Sequence, residues 1–233
     1  MAGRELGADL AGAENDRPNS ASPQLSRAAV QEITETEKGG VPLNTPWTLY
    51  LDKSIRGATA AEFEANLRNI YTVTTVQSFW SVYNNIPGIS DLSPKYSYHL
   101  MRNSRRPIWE DDCNRHGGTW RLKCLKKDTA HVWKELLLAC IGEQWSDSVR
   151  EGDDIVGLSV SIKDRDDIVQ IWNNRSDLAE GSQATSKVKE LLPTVNFQAE
   201  FYKPHQTHHA YEGHRSVESH QGQQAPRQFS PAN

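Results

Sequence analysis

The sequence predicts an α+β domain with mainly antiparallel strands, and three patterns predict it. Short segments of alternating or β-branched residues recur between turn residues, as strands do. Two stretches instead carry apolar residues at helical spacing. Residues 155–162 and 168–172, both rich in Ile and Val, flank the polar link 163–167 and read as a hairpin. Strands and helices mixed in this way along one chain indicate an α+β layer arrangement.

In chain order, Trp47-Thr48-Leu49-Tyr50-Leu51 alternates like a strand, with Pro46 before it where a missing N–H does least harm. A second strand is expected over 66–73. Thr74 and Gln77 offer a capping box before Phe79, Trp80, Val82 and Tyr83, so a helix follows and stops at Pro87-Gly88. Residues 96–102 and 119–125 read as strands around a loop marked by Pro107 and Gly117-Gly118. Val132, Trp133, Leu136, Leu137, Cys140 and Ile141 fall on one helical face, with Gly142 where that helix would end. A short helix near 185–192 and a last strand near 195–202 complete the pattern.

The core is bounded by two polar extensions. All seven tryptophans, at 47, 80, 109, 120, 133, 145 and 172, lie between them. Residues 1–40 contain no Trp, Tyr or Phe and read as a disordered arm, because little apolar surface is available to offset the entropy of ordering. Residues 41–204 form the domain, and 205–233 a His- and Gln-rich polar tail. The chain has 233 residues, 36% of them hydrophobic, and a mean hydropathy of -0.69. Its longest apolar run is the six residues 136–141, far short of the roughly 20 that a membrane span needs. The first thirty residues mix acids and bases without the apolar stretch of a secretory signal. Three cysteines without paired spacing read as reduced thiols of the cytosol or nucleus. A net charge of -4 argues against coating nucleic acid by bulk charge, so any such contact must be local.

No P-loop, G-x-S-x-G, H-E-x-x-H or dinucleotide fingerprint occurs. The distinctive stretches are aromatic: 78–86 (SFWSVYNNI), 107–112 (PIWEDD), 117–120 (GGTW) and 133–143 (WKELLLACIGE). In this order they resemble the eukaryotic translation initiation factor 4E family, whose members bind the mRNA 5′ cap. Gly57 to Glu62, Met101-Arg102 with Arg105-Arg106-Pro107, and Tyr202-Lys203-Pro204-His205 are similar to its class III members. The resemblance implies a curved antiparallel sheet backed by about three helices on its convex face, with the cap in the concave face. It further implies a non-enzymatic, monomeric, cytoplasmic protein of translation initiation or its regulation, without cofactor or metal.

A 7-methylguanine carries delocalised positive charge, so an indole face attracts it by stacking and by the cation-π term, together about 1–3 kcal/mol. The resemblance assigns that role to Trp109. Glu110 would accept two hydrogen bonds from the guanine N1–H and amino group, an edge that adenine lacks. Lys163 and Arg165 fall at family positions that hold the phosphates, and Trp172 at the position beside the N7 methyl group. The family's second stacking tryptophan is replaced by Phe63, its third phosphate-contacting base by Ile168, and another tryptophan by Tyr50. On the back of the sheet, Pro42, Leu43, Val76, Trp80, Glu135 and Leu138 match the patch on which 4G-type scaffolds and 4E-binding proteins lay a Tyr-x-x-x-x-Leu-hydrophobic helix. Lys134 stands there where an apolar residue is usual.

Plainer readings stand beside these. By periodicity alone Trp80 is a core residue, as Trp47, Trp120, Trp133 and Trp145 are. Glu110-Asp111-Asp112 would be a solvated acidic loop, and Lys163 and Arg165 a turn balanced by Asp164, Asp166 and Asp167. Cys113-x-x-His116 with Cys124 is at most part of a zinc site, and His205, His208 and His209 would collect metal only from a mobile tail. Phe63, Ile168 and the aspartates also fit an interaction protein with a vestigial cap pocket, acting through Trp80. A cap-directed hydrolase lacks a carboxylate cluster or an activated nucleophile.

Overall fold

The computed structural model describes residues 24–206 except Arg56 and Ala58. Its helices are α1 (Arg27–Glu37), α2 (Ala60–Asn66), α3 (Val76–Asn85), α4 (Lys126–Ile141) and α5 (Ala184–Leu191). Its strands are β1 (Pro42–Lys53), β2 (Arg68–Thr75), β3 (Tyr96–Arg102), β4 (Gly118–Leu125), β5 (Ile155–Ser161), β6 (Asp166–Asn173) and β7 (Ala199–Pro204). The strands make one curved sheet in the order β2-β1-β3-β5-β6-β4-β7, antiparallel at every junction. The expected hairpin is β5–β6.

Alternation along the strands divides the sheet into two faces. Trp47, Leu49 and Leu51 of β1, Leu100 of β3, Leu158 of β5, Ile171 of β6 and Leu122 of β4 turn into one apolar core with Val132, Trp133, Leu136 and Cys140 of α4. Helix α4 lies across β1, β4, β5 and β6, α5 packs against α4, and α1 against α3. The opposite, concave face is built of rungs of directly paired residues. One runs Tyr50, His99, Ser159, Gln170, Arg121, Phe201; the next runs Met101, Gly157, Trp172, Thr119, Lys203. Helix α4 ends as expected at Gly142, whose N–H reaches the Leu138 carbonyl at 2.9 Å. The left-handed residue of the turn is Glu143 (φ 53), a position glycine usually fills.

Several expectations change. Residues 27–37 fall in the expected disordered arm, yet they form α1. Ser26 accepts the Ala29 N–H at 3.1 Å to start the helix. Ala29 and Ile33, four apart, bury their side chains, Ile33 completely, and one such burial is worth about 1.5–3 kcal/mol. Glu37 fastens the helix end to β2 by accepting from the Tyr71 hydroxyl at 3.1 Å and the Thr74 N–H at 3.3 Å. Helix α3 is capped one residue later than expected, by Thr75 with Ser78. Gln77 instead accepts the Val41 N–H at 2.8 Å, and Thr74 donates to Glu37. Thr59-x-x-Glu62 caps the further helix α2, each side chain accepting the other's backbone N–H. His205, placed in the tail by composition, is 2% exposed and packs edge-on against Trp172 with centroids 4.9 Å apart. His208 and His209 lie outside the described residues. Cys124 belongs to the main core and Cys113 is exposed, and among the described residues no cluster of metal-ligating side chains forms.

Candidate ligand site on the concave face

The loop 103–117, between β3 and β4, carries Trp109 and Glu110, and a buried asparagine holds its shape. Asn114 is fully buried, and its Nδ2 donates to the carbonyls of Arg106 at 2.8 Å and Ile108 at 2.7 Å. Its backbone N–H reaches Asp111 and its carbonyl accepts from Gly117, both at 2.8 Å. At the loop's base, side chains on Gly117 and Gly118 would collide with the Asn173 carbonyl and the Tyr202 hydroxyl, so the chain can pass here only as glycine. Arg106 grips Asp111 with two bonds of 3.0 and 2.9 Å and also pairs with Glu64 of α2. That pair ties the Trp109 loop to the helix that carries Phe63.

Phe63, Pro107 and Trp109 line two adjoining cavities. The outer, of about 400 Å³, also takes in Thr59, Asn66 and Glu110, a size suited to a small planar ligand. The inner, of about 210 Å³, runs over the sheet to Lys163, Trp172, Arg121 and His205. Trp109, Glu110 and Phe63 are thus brought together, Lys163 reaches the inner cavity, and Trp172 forms part of its floor at 5% exposure. Arg165 lines neither cavity.

Two of the three aspartates expected to balance the β5–β6 turn, Asp166 and Asp167, pair instead with lysines of β4 and α4. Asp167, 2% exposed, accepts from Lys126 Nζ at 2.6 Å, Thr129 Oγ1 at 2.9 Å and the Lys163 backbone N–H at 3.0 Å. Asp166 pairs with Lys123 at 2.9 Å. Neither Lys163 nor Arg165 forms an ion pair among the described residues.

Along the wall of the inner cavity, which Asp52, His99 and Trp172 line, runs a polar chain that the sequence did not reveal. Trp172 Nε1–H donates to Ser159 Oγ at 2.8 Å. His99 Nδ1 lies 2.7 Å from that oxygen, and His99 Nε2 lies 2.6 Å from Asp52 Oδ1. With a neutral imidazole, Ser159 donates to Nδ1 and Nε2–H to the carboxylate, so every group is satisfied. The constellation resembles a Ser-His-Asp triad in composition only. Ser159 is completely buried in mid-strand and its oxygen already accepts from Trp172, so it cannot attack a ligand. Its effect is to fix the indole of Trp172. The available signal was polar alternation: Ser97 and His99 on β3, Ser159 and Ser161 on β5.

On the back of the sheet, Val76, Trp80, Glu135, Leu138 and Leu43 are half-buried and Pro42 is exposed. Trp80 packs edge-on to Phe79 and Tyr83, with centroids 5.3 and 5.7 Å away. Lys134 Nζ stands 5.9 Å over its ring.

The family model for eukaryotic initiation factor 4E matches residues 42–220. The eukaryotic translation initiation factor NCBP of Triticum aestivum is 31% identical over 172 residues, covering 73% of this chain and 72% of that protein. Its counterpart in Oryza sativa subsp. japonica is 29% identical over 197 residues, 82% of this chain and 85% of its own. Two solved structures superpose well: C. elegans eIF4E-3 in complex with the 4E-binding protein Mextli and cap analog (29% identity, TM-score 0.64, 73% of this chain and 95% of that one), and Ascaris suum eIF4E-3 in complex with the m2,2,7G cap (31%, 0.62, 72% and 93%). A match across most of the chain, on a seven-stranded sheet of this topology, makes this protein a member of the eukaryotic initiation factor 4E family.

Proposed function

We propose that this chain binds the 7-methylguanosine 5′ cap of mRNA in the concave cleft and acts in the cytoplasm in translation initiation or its regulation. One observation carries the reading: Trp109 and Phe63, on a loop and a helix joined by Arg106–Glu64, line the same two cavities with Glu110 beside them. The base stacks on Trp109 with Phe63 as a second aromatic wall, Glu110 takes the guanine edge, and Trp172 borders the methyl group. Lys163 and Arg165 hold the phosphates, Lys163 nearer and Arg165 from the exposed turn. The structures of eIF4E-3 bound to cap or cap analog support this. The half-buried Trp80 surface is the seat of a Tyr-x-x-x-x-Leu-hydrophobic helix from a 4G-type scaffold or a 4E-binding protein. The complex of eIF4E-3 with Mextli supports a partner of this kind.

The test is a fluorescence titration with 7-methyl-GTP and, in parallel, GTP. Stacking on Trp109 quenches indole emission, and the methylated base quenches at lower concentration because it alone carries the positive charge. Absence of quenching by either nucleotide, in protein shown to be folded, overturns the cap reading and leaves the Trp80 surface as the working part of the molecule.

A further inference from the structure

The polar chain along the inner cavity has a direction, and it ends on a charge. Asp52 is 3% exposed and is the one carboxylate among the described residues that line this cavity. Its Oδ1 lies 2.6 Å from His99 Nε2. The tautomer of His99 follows from Ser159. That hydroxyl accepts from Trp172 Nε1–H, and its other hydrogen-bond partner among the described residues is His99 Nδ1. Its proton therefore goes to Nδ1, which leaves the ring neutral and Nε2–H donating to Asp52.

All three hydrogen bonds then point the same way: indole to hydroxyl, hydroxyl to imidazole, imidazole to carboxylate. Bonds aligned in series polarise one another, and they do so most where water is scarce. Asp52, His99, Ser159 and Trp172 are all buried. The carboxylate draws each proton toward itself and pushes electron density back onto each donor. The last donor in the series is the Trp172 indole. That ring packs with Tyr50, Met101 and Val156 in a small apolar cluster against which Trp109 rests, and it lines the inner cavity together with Trp109 and Phe63. An indole enriched in electrons attracts a cation more strongly and gains little toward a neutral ring. Lys163 and Arg121 line the same cavity and repel a cationic ring, and the charge of Asp52 opposes them.

We propose that Asp52 and His99, acting through Ser159 and Trp172, set the preference of this site for a positively charged, N7-alkylated guanine over neutral guanine. The inference rests on the cap reading and deepens it. Glu110 reads the guanine edge whether or not N7 is methylated, whereas the chain adds to the part of recognition that depends on charge. No proton moves along it; the carboxylate acts through fixed hydrogen bonds.

Calorimetric titration of the full chain with 7-methyl-GTP and with GTP tests it, read as the ratio of the two dissociation constants. Asp52→Asn, which keeps shape and removes charge, should weaken 7-methyl-GTP about tenfold and leave GTP unchanged. His99→Gln keeps the carboxylate but breaks the chain, and should shrink the preference in the same direction. In a Trp172→Phe background, where no indole N–H feeds the chain, Asp52→Asn should have no further effect on the ratio. A preference unchanged in Asp52→Asn or in His99→Gln overturns the proposal. So does equal weakening of both nucleotides, which marks a structural role, and so does a full effect of Asp52→Asn in the Trp172→Phe background. Thermal unfolding checks each variant, and where one does not fold the other decides. Wild type that binds neither nucleotide overturns the cap reading and this inference with it, whereas a wild-type preference that survives Asp52→Asn overturns this inference alone.

Discussion

His205 donates from Nδ1 to the backbone carbonyl of Asn114 at 2.7 Å across 91 residues of sequence. The bond joins the end of β7 to the residue that shapes the Trp109 loop. Asn114 is thereby bonded on every polar side: its amide nitrogen holds two loop carbonyls, its backbone N–H holds Asp111, and its carbonyl receives both Gly117 and His205. The position of Trp109 therefore depends on the far end of the domain as well as on its own loop.

Asn114→Ala tests that dependence. It strips the Arg106 and Ile108 carbonyls of their donor in a buried setting, and each orphaned group costs about 1–3 kcal/mol. Chemical denaturation should show a loss of a few kcal/mol, and amide exchange should speed up over 105–113 more than in α4. Equal exchange in both regions would show that the loop holds its shape without Asn114.

Ser159→Ala attacks the floor of the inner cavity. Removing one oxygen leaves Trp172 Nε1–H without an acceptor and His99 Nδ1 without its partner, in a place water cannot easily reach. A stability loss of about 2 kcal/mol or more is expected in urea unfolding. The Trp172 indole should also become freer, which fluorescence anisotropy would register. A variant as stable as wild type would mean that the chain from Asp52 to Trp172 adds nothing net.

The sheet and helices α3 and α4 were legible because strand alternation and the 132–141 apolar stripe are set by burial, and burial is what a hydropathy pattern records. Helix α1 was not, because two buried residues, Ala29 and Ile33, are too few to raise the apolar character of a polar segment, and its docking depends on Tyr71 and Thr74, far along the chain. Trp109, Glu110 and Phe63 could be named from motif resemblance and do line one cleft. The buried place of His205 could not be read, because its Nδ1 meets the Asn114 carbonyl only when segments 91 residues apart come together, which no local pattern records.

Phe63 separates one aromatic platform from two. If its ring stacks on the bound base, Phe63→Ala should weaken 7-methyl-GTP by about 1–3 kcal/mol, and Phe63→Trp should strengthen it. Phe63 is half-buried on a short helix, so the fold should tolerate either change. Affinities equal to wild type in both variants would assign the stacking to Trp109 alone.

On the back of the sheet, Trp80→Ala should reduce binding of a Tyr-x-x-x-x-Leu-hydrophobic peptide by at least about 2 kcal/mol, as loss of a central aromatic anchor does. Binding of 7-methyl-GTP should not change, since Trp80 and the cleft lie on opposite sides of the sheet. Fluorescence polarisation with a labelled peptide reads the first and nucleotide titration the second. An unchanged peptide affinity would remove Trp80 from the interface.

Acid should weaken the fold through His205. Burial holds its pKa below the ordinary 6.5; the bond to Asn114 opposes this and Arg121 adds to it. The folded ring thus resists a proton that the unfolded chain accepts. At pH 8 both states are neutral there and the shift contributes nothing to the pH dependence. As pH falls below about 6.5 the unfolded state takes up the proton first, and stability drops by at most about 1.4 kcal/mol per pH unit for one such group. The loss continues until pH reaches the depressed folded value. His205→Asn removes the titration while keeping a donor to the Asn114 carbonyl, so its melting temperature should fall less than that of wild type between pH 7 and 5. Parallel curves for the two proteins would show that another group carries the acid sensitivity.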